Sequence, residues 1–203
     1  MAGTPTDRRV RRTQQLLRQA LIDLILEKGY DRTTVQDILD RADVGRSTFY
    51  NHYQTKDQLL LSGMDEWHAA LTTQLSTGPD SRDQPTPLLA PLRPLFEHAA
   101  GNHRLFRAML GSRAFTLATR SGSKLLSDSL TAHLRARLAV HDQQRLDMAV
   151  AYLVNGLLGL LTWWFFFFND TATTEIYTRF ERLATPGIES FVAARGAIHP
   201  GTA

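Results

Sequence analysis

Cysteine is absent from the 203-residue chain, which excludes a disulfide framework, a thiolate metal site and a cysteine nucleophile. That absence suits a reducing cytosol, and a cytoplasmic location is expected. No stretch alternates apolar and polar residues like a half-buried strand, and no segment repeats, so no sheet is predicted. The polar constellations that chemistry needs are missing as well. His98 and His103 stand five apart on different helix faces, no His-Glu-x-x-His pattern occurs, and Gly156 and Gly159 follow no strand, so neither a zinc motif nor a nucleotide fingerprint is present. His68, His133 and His141 are isolated and read as surface residues. No catalytic residue, metal site or cofactor is expected, and the chain does not read as an enzyme. The opening "MAGTPTDRRVRRTQQ" carries charge without an apolar core region behind it, which predicts no secretory leader.

What is present is ordinary globular material, 43% apolar and 21% charged, in a length that can bury a substantial core. Net charge is only +3, but Arg8, Arg9, Arg11 and Arg12 against Asp7 place +3 within the first twelve residues. A basic arm of this kind tracks a phosphate backbone by releasing condensed counterions, although the same charges suit a solvated helix start. From Val10 to Leu26, apolar residues recur at three- and four-residue spacing, and Gly29 offers a left-handed cap; the pattern predicts one amphipathic helix. In "DRTTVQDILDRADVGRSTFYNHY", Thr33 is the expected N-cap of a two-turn helix with Val35, Ile38, Leu39 and Ala42 on one face. A break at Asp43 precedes a second short helix starting at Val44. Two short helices joined by a tight turn predict a helix-turn-helix.

A recognition helix offers short polar or basic side chains from its first turns to base edges in the major groove. Arg46, Ser47 and Thr48 stand there, and Gly45 permits close backbone approach. An Arg pairs with the O6 and N7 of guanine, and a Thr offers a hydroxyl and a methyl. Thr33, Thr34 and Lys56, at neighbouring helix starts, are expected phosphate clamps, which fix register rather than sequence. Tyr50, Asn51 and His52 complete the candidate DNA-binding set.

The run "TTVQDILDRADVGRSTFYNHYQTKDQLL" resembles the DNA-binding domain of the TetR/AcrR family of transcriptional regulators. The match rests on the Thr pair before a short Ile-containing helix, Ala-x-Val, Thr-Phe-Tyr-x-His-Tyr and Lys-Asp-x-Leu-Leu, over roughly Leu16 to Leu61. Departures are Asp43 where the family usually has glycine, Gly45 for a frequent serine, Ser47 for a frequent glycine and Leu39 for a small alanine. Base preference therefore does not carry over. The resemblance implies an all-α fold. Its parts are a three-helix DNA-binding domain over residues 8–56, with the motif at about 32–52, and a helical effector-binding and dimerisation domain over 57–196. It further implies a homodimer on a palindromic operator in double-stranded DNA, usually a repressor answering a small-molecule effector, with some relatives acting as co-activators.

The second half carries little motif. Five of the eight prolines lie in "STGPDSRDQPTPLLAPLRP", which reads as the main connector, and four helical segments follow. Phe96, Phe106, Met109, Leu110 and Phe115 are candidates for an effector pocket, with ordinary core packing as the alternative. Leu153, Leu157, Leu160, Leu161 and Phe191 are candidates for the dimer interface. Residues 152–168 form a 17-residue stretch with only Asn155 and Thr162 strongly polar, at the lower edge of a membrane span. No basic cluster flanks it, so a dimerisation helix fits better and no membrane partner is expected.

One segment departs from the rest. A helix ending at Trp163 and Trp164 should turn polar, yet Phe165 to Phe168 follow, and four consecutive rings cover every direction around a helix. The next ten residues, "NDTATTEIYT", resemble the in-frame translation of a sequencing adapter, AATGATACGGCGACCACCGAGATCTACAC. Residues 165–178 thus read as a replacement for a native linker and the start of the last helix, expected to be poorly ordered or helical only by association.

Overall fold

A computed structural model describes residues 5–64, 87–167 and 171–193. All regular structure in them is helical: α1 (Pro5–Lys28), α2 (Val35–Ala42), α3 (Arg46–Tyr50), α4 (56–64), a 3-10 turn (Ala90–Leu92), α5 (Arg93–Gly101), α6 (His103–Met109), α7 (Arg113–Arg137), α8 (Gln143–Phe167) and α9 (Thr173–Ala193). The described residues fall into two units, 5–64 with 102–121, and 87–101 with 122–167 and 171–193.

In the first unit, Leu17, Ala20, Leu21, Leu24 and Ile25 line the buried face of α1. They enclose a core with Tyr30, Ile38, Leu39, Phe49, Tyr53 and Leu59. Gly29 ends α1 at φ 83°, and its N–H donates to the Ile25 carbonyl at 3.0 Å, a left-handed cap that a Cβ would penalise. This unit is larger than residues 8–56. Met109 and Ala114 belong to its buried core, with Leu105, Phe106 and Phe115 packed against it, because α1 with the two short helices α2 and α3 leaves one apolar side uncovered.

In the second unit, α8 and α9 supply most of the core. Leu146, Ala149, Val150, Leu153, Val154, Leu157, Leu161, Trp164 and Phe165 are buried from α8. Ile176, Tyr177, Phe180, Ala184, Ile188 and Val192 are buried from α9. Phe96 of α5 meets the rings of Tyr177 and Phe180 at 5.6 and 5.8 Å. Pro91 and Pro94, read as connector, lie in the 3-10 turn and at the second residue of α5, where a helix start has no use for their missing N–H. His133 is not an isolated surface residue, since its Nε2 lies 2.8 Å from the Leu88 carbonyl.

Helix α8 runs three residues past Trp164. Phe165 is buried, whereas Phe166 and Phe167 are 58% and 70% exposed, so two rings face outward. Phe168, Asn169 and Asp170 lie outside the described residues. Thr173 to Thr178 form the first turns of α9, in which Ile176 and Tyr177 are buried and Tyr177 meets Phe96. By length and composition α8 could cross a membrane, but its nine buried side chains make it a core helix of its own unit.

Candidate nucleic-acid interface

The helix-turn-helix is fixed from both ends of α2. Thr34, not Thr33, is the N-cap: its Oγ1 accepts from the Asp37 N–H at 3.1 Å, and Asp37 Oδ2 accepts from the Thr34 N–H at 2.7 Å. This reciprocal capping satisfies two helix-start groups at once. The Lys28 ammonium, 2.8 Å away, together with Thr34 holds the Asp37 carboxyl well below the usual carboxylate range. Arg41 grips Glu27 through two parallel bonds of 2.7 Å, tying α2 to α1, the bidentate geometry in which arginine is strongest.

The turn survives the loss of its usual glycine. Asp43 adopts φ 52°, ψ 49°, a left-handed conformation that Asp tolerates, and the Val44 N–H donates to the Leu39 carbonyl at 3.1 Å. Helix α3 begins at Arg46 rather than Val44, with Gly45 as its N-cap. Phe49 is fully buried and anchors α3, which leaves Arg46, Ser47, Tyr50 and Asn51 exposed. Thr48 and His52 are half-buried. A Cβ on Gly45 would meet nothing nearer than the Thr48 Oγ1 at 4.0 Å, and its φ of −65° is ordinary. Folding alone does not require glycine there.

The three expected clamps differ. Thr34 is exposed at the start of α2. Thr33 is only 1% exposed and its Oγ1 donates to the Gly29 carbonyl at 2.9 Å, so it faces the core. Lys56 is turned inward: its Nζ donates to the Tyr30 and Thr33 carbonyls at 2.9 and 2.6 Å and lies 4.4 Å over the Tyr30 ring. Burial lowers its pKa from the ordinary lysine value.

Gln36 is a residue that the sequence reading overlooked. Its Oε1 accepts from Arg46 Nη2 at 2.6 Å, and its Nε2 donates to Asp40 at 2.7 Å, so α2 aims the guanidinium that α3 presents. The signal was available, because Gln36 stands one residue into α2 on its polar side.

The five expected pocket residues fall in two units. Phe96 belongs to the second unit, while Met109 lies in the core of the first and Phe106 and Phe115 pack against that core. Leu110 caps α6 and its N–H donates to the Phe106 carbonyl at 3.2 Å. A groove of about 560 Å³ in the second unit is lined instead by residues such as Leu88, Arg137, Glu181, Thr185 and Glu189. The expected dimer residues are also largely taken. Leu153, Leu157 and Leu161 are buried within their own unit and Leu160 is half-buried, whereas Phe191 is exposed, with the Arg145 guanidinium 5.5 Å from its ring. The outward side of α8 carries Met148, Tyr152, Trp163 and Phe166 instead.

Residues 17–62 match the family described as "Bacterial regulatory proteins, tetR family". A 55-residue stretch is 44% identical to an uncharacterized HTH-type transcriptional regulator, YxbF, of Bacillus subtilis, covering 27% of this chain but only 14% of that regulator. Among solved structures, a TetR transcriptional regulator from Streptococcus agalactiae superposes with a TM-score of 0.65 at 24% identity, covering 89% of this chain and 97% of that one. Thermus thermophilus FadR, a TetR-family repressor in complex with lauroyl-CoA, superposes with a TM-score of 0.58 at 21% identity, over 93% and 100% of the two chains. These likenesses carry the all-α fold across most of the chain, and the sequence match carries its first unit. Residues 17–62 are a helix-turn-helix segment of the tetR family of bacterial regulatory proteins.

Proposed function

We propose that the protein is a ligand-responsive transcriptional repressor that binds a palindromic operator as a homodimer, one α3 in the major groove of each half-site. The observation that carries the reading is the division of α3. Phe49 is buried as its anchor, while Arg46, Ser47, Tyr50 and Asn51 are exposed, with the Arg46 guanidinium held by Gln36. Arg46 is the base-reading side chain, Thr34 a phosphate contact, and the arginines at the start of α1 supply the salt-dependent attraction.

Dimerisation is supported by the outward side of α8. Met148, Tyr152, Asn155, Gly156, Gly159, Trp163 and Phe166 recur there at three- and four-residue spacing, all exposed. The Asn155 amide donates to the Ala151 carbonyl at 2.8 Å, which spends part of its polarity within the helix, and a Cβ on either glycine would meet nothing within 4 Å. An apolar stripe with two glycines suits a second helix at close range. The effector reading rests on the family and on the ligand seen in its FadR member. Effector binding shifts the population between a DNA-competent arrangement and another only through different affinity for the two.

Selection of bound duplexes from a random DNA pool tests the proposal. A two-fold symmetric motif with half-sites about one helical turn apart, roughly 34–36 Å between centres, is expected. Enrichment of no sequence, or of one unpaired half-site, overturns sequence-specific binding or dimeric binding respectively.

A further inference from the structure

Arg113, the first residue of α7, has no part in the reading above, yet it joins a cluster of polar groups in the first unit. Its Nε and Nη2 both donate to Asp57 Oδ2, at 2.9 and 2.7 Å, and its backbone N–H donates to Asp31 Oδ1 at 3.3 Å. The other oxygen of Asp57 accepts the Tyr30 hydroxyl. Tyr30 is buried, and its carbonyl accepts both the Lys56 ammonium and the Thr33 N–H. One chain of bonds thus runs from α7 through Asp57 at the start of α4 to the 30–34 segment, which delivers Thr34 to the N-terminus of α2. Burial would raise the pKa of the Asp57 carboxyl, but the bonds from Arg113 and Tyr30 outweigh it and hold it below its ordinary value. Burial and the Asp57 bond push the Tyr30 phenol up. Both shifts mean that the ionised carboxylate and the neutral phenol are the stable pair.

We infer that Arg113 is a positioning residue for DNA binding: through Asp57 and Asp31 it sets the 30–34 segment and the starts of α2 and α4, without itself touching DNA. This rests on the DNA-binding reading. Residues 113–121 of α7 belong to the first unit, and the helix continues to Arg137. Arg113 is 66% exposed, so its replacement removes little buried surface.

The sign of the Asp57 effect separates positioning from simple charge. Removing a carboxylate from a DNA-binding unit strengthens attraction to phosphate, whereas removing a positioning group weakens it. The experiment compares wild type, Arg113→Ala, Arg113→Lys, Asp57→Asn and the double variant Arg113→Ala/Asp57→Asn. Affinity for the selected duplex is measured across salt concentrations, and amide exchange over residues 30–37 is followed without DNA. Arg113→Ala and Asp57→Asn are each expected to weaken binding about tenfold. The salt slope should stay unchanged, Arg113→Lys should recover part of the loss, and the double variant should be no worse than either single one. Exchange of the Thr33 and Thr34 amides should quicken in both single variants. The inference is overturned if Arg113→Ala lowers the salt slope by about one phosphate's worth while Asp57→Asn binds as tightly as wild type or more so. Unchanged exchange at Thr33 and Thr34 overturns it as well. If wild type selects no duplex, it is the DNA-binding reading that fails, and the exchange data decide by themselves whether Arg113 holds the segment.

Discussion

Helices α1 and α8 are nearly equal in length, 24 and 25 residues, and each buries one side in its own unit, but their outward sides are opposites. The start of α1 exposes Arg8, Arg9, Arg11 and Arg12. Helix α8 exposes Met148, Tyr152, Trp163 and Phe166. A charged outward side is already at equilibrium with water and gains by meeting phosphate. An apolar outward side remains costly until another apolar surface covers it. The first unit therefore presents a charged outward surface, and the second an apolar one.

The sharpest way to break this comparison is to damage each unit in its own currency. Phe49→Ala removes the buried anchor of α3 and should cost about 3–5 kcal/mol of stability, read as a lower urea midpoint, with DNA binding lost. Tyr152→Ala combined with Trp163→Ala should leave the stability of the separated protomer little changed. It should weaken the dimer by about 2 kcal/mol or more, measured by sedimentation equilibrium. If these two replacements leave the oligomeric state untouched, the outward side of α8 is not the interface.

Arg46→Ala sharpens the contrast within the first unit. It should cost about 1–3 kcal/mol and relax preference at one half-site position, while a uniform loss across all sequences would assign Arg46 to phosphate. Thr34→Ala removes the capping box and should cost about 1 kcal/mol, seen as a small drop in melting temperature. The same cap has a pH signature. The folded pKa of Asp37 lies below its unfolded value, so its contribution is complete above about pH 4, the unfolded carboxylate range. It is lost as pH falls through the lowered value. Asp57 acts in the same direction. Asp37→Asn should therefore flatten the acid limb of stability, and an unchanged limb would remove Asp37 from the account.

Residues 165–178 bear on the same comparison from the side of the gene. Phe166 and Phe167 add to the outward apolar surface of α8, and Ile176 and Tyr177 bury the first turns of α9. Resequencing the genomic locus decides whether they are native. Codons that differ from the adapter string would give the last helix a different start and the outward side of α8 a different end, while a clean read reproducing them retains both.

The helix-turn-helix was legible because its constraints are local. Capping, a left-handed turn at Asp43 and a buried Phe49 are each dictated by residues within a few positions, so their spacing survives in sequence. The N-cap was misplaced by one residue because Thr33 and Thr34 have the same chemistry. Only the fold chose between them, placing Thr33 against Gly29 and Thr34 against Asp37. The inward turn of Lys56 was hidden because its partners, the Tyr30 and Thr33 carbonyls, are backbone atoms more than twenty residues away.

The second unit was harder to read for a different reason. In α8 apolar residues occupy nearly every direction, so helical spacing does not distinguish the side that packs within the protomer from the side that faces out. Leu153, Leu157 and Leu161 were plausible interface residues until the structure buried them against their own unit. Likewise Phe106, Met109 and Phe115 carried the right chemistry for a pocket, but the structure returns α6 and the first turns of α7 to the first unit. By itself the sequence determined the helical class, the reading head and its exposed polar residues, because periodicity and capping act over a few residues. Only tertiary structure decided which apolar faces are spent inside the protomer, and that Arg113 meets Asp57 across 56 positions, because burial and ion pairing depend on distances in space that chain order does not encode.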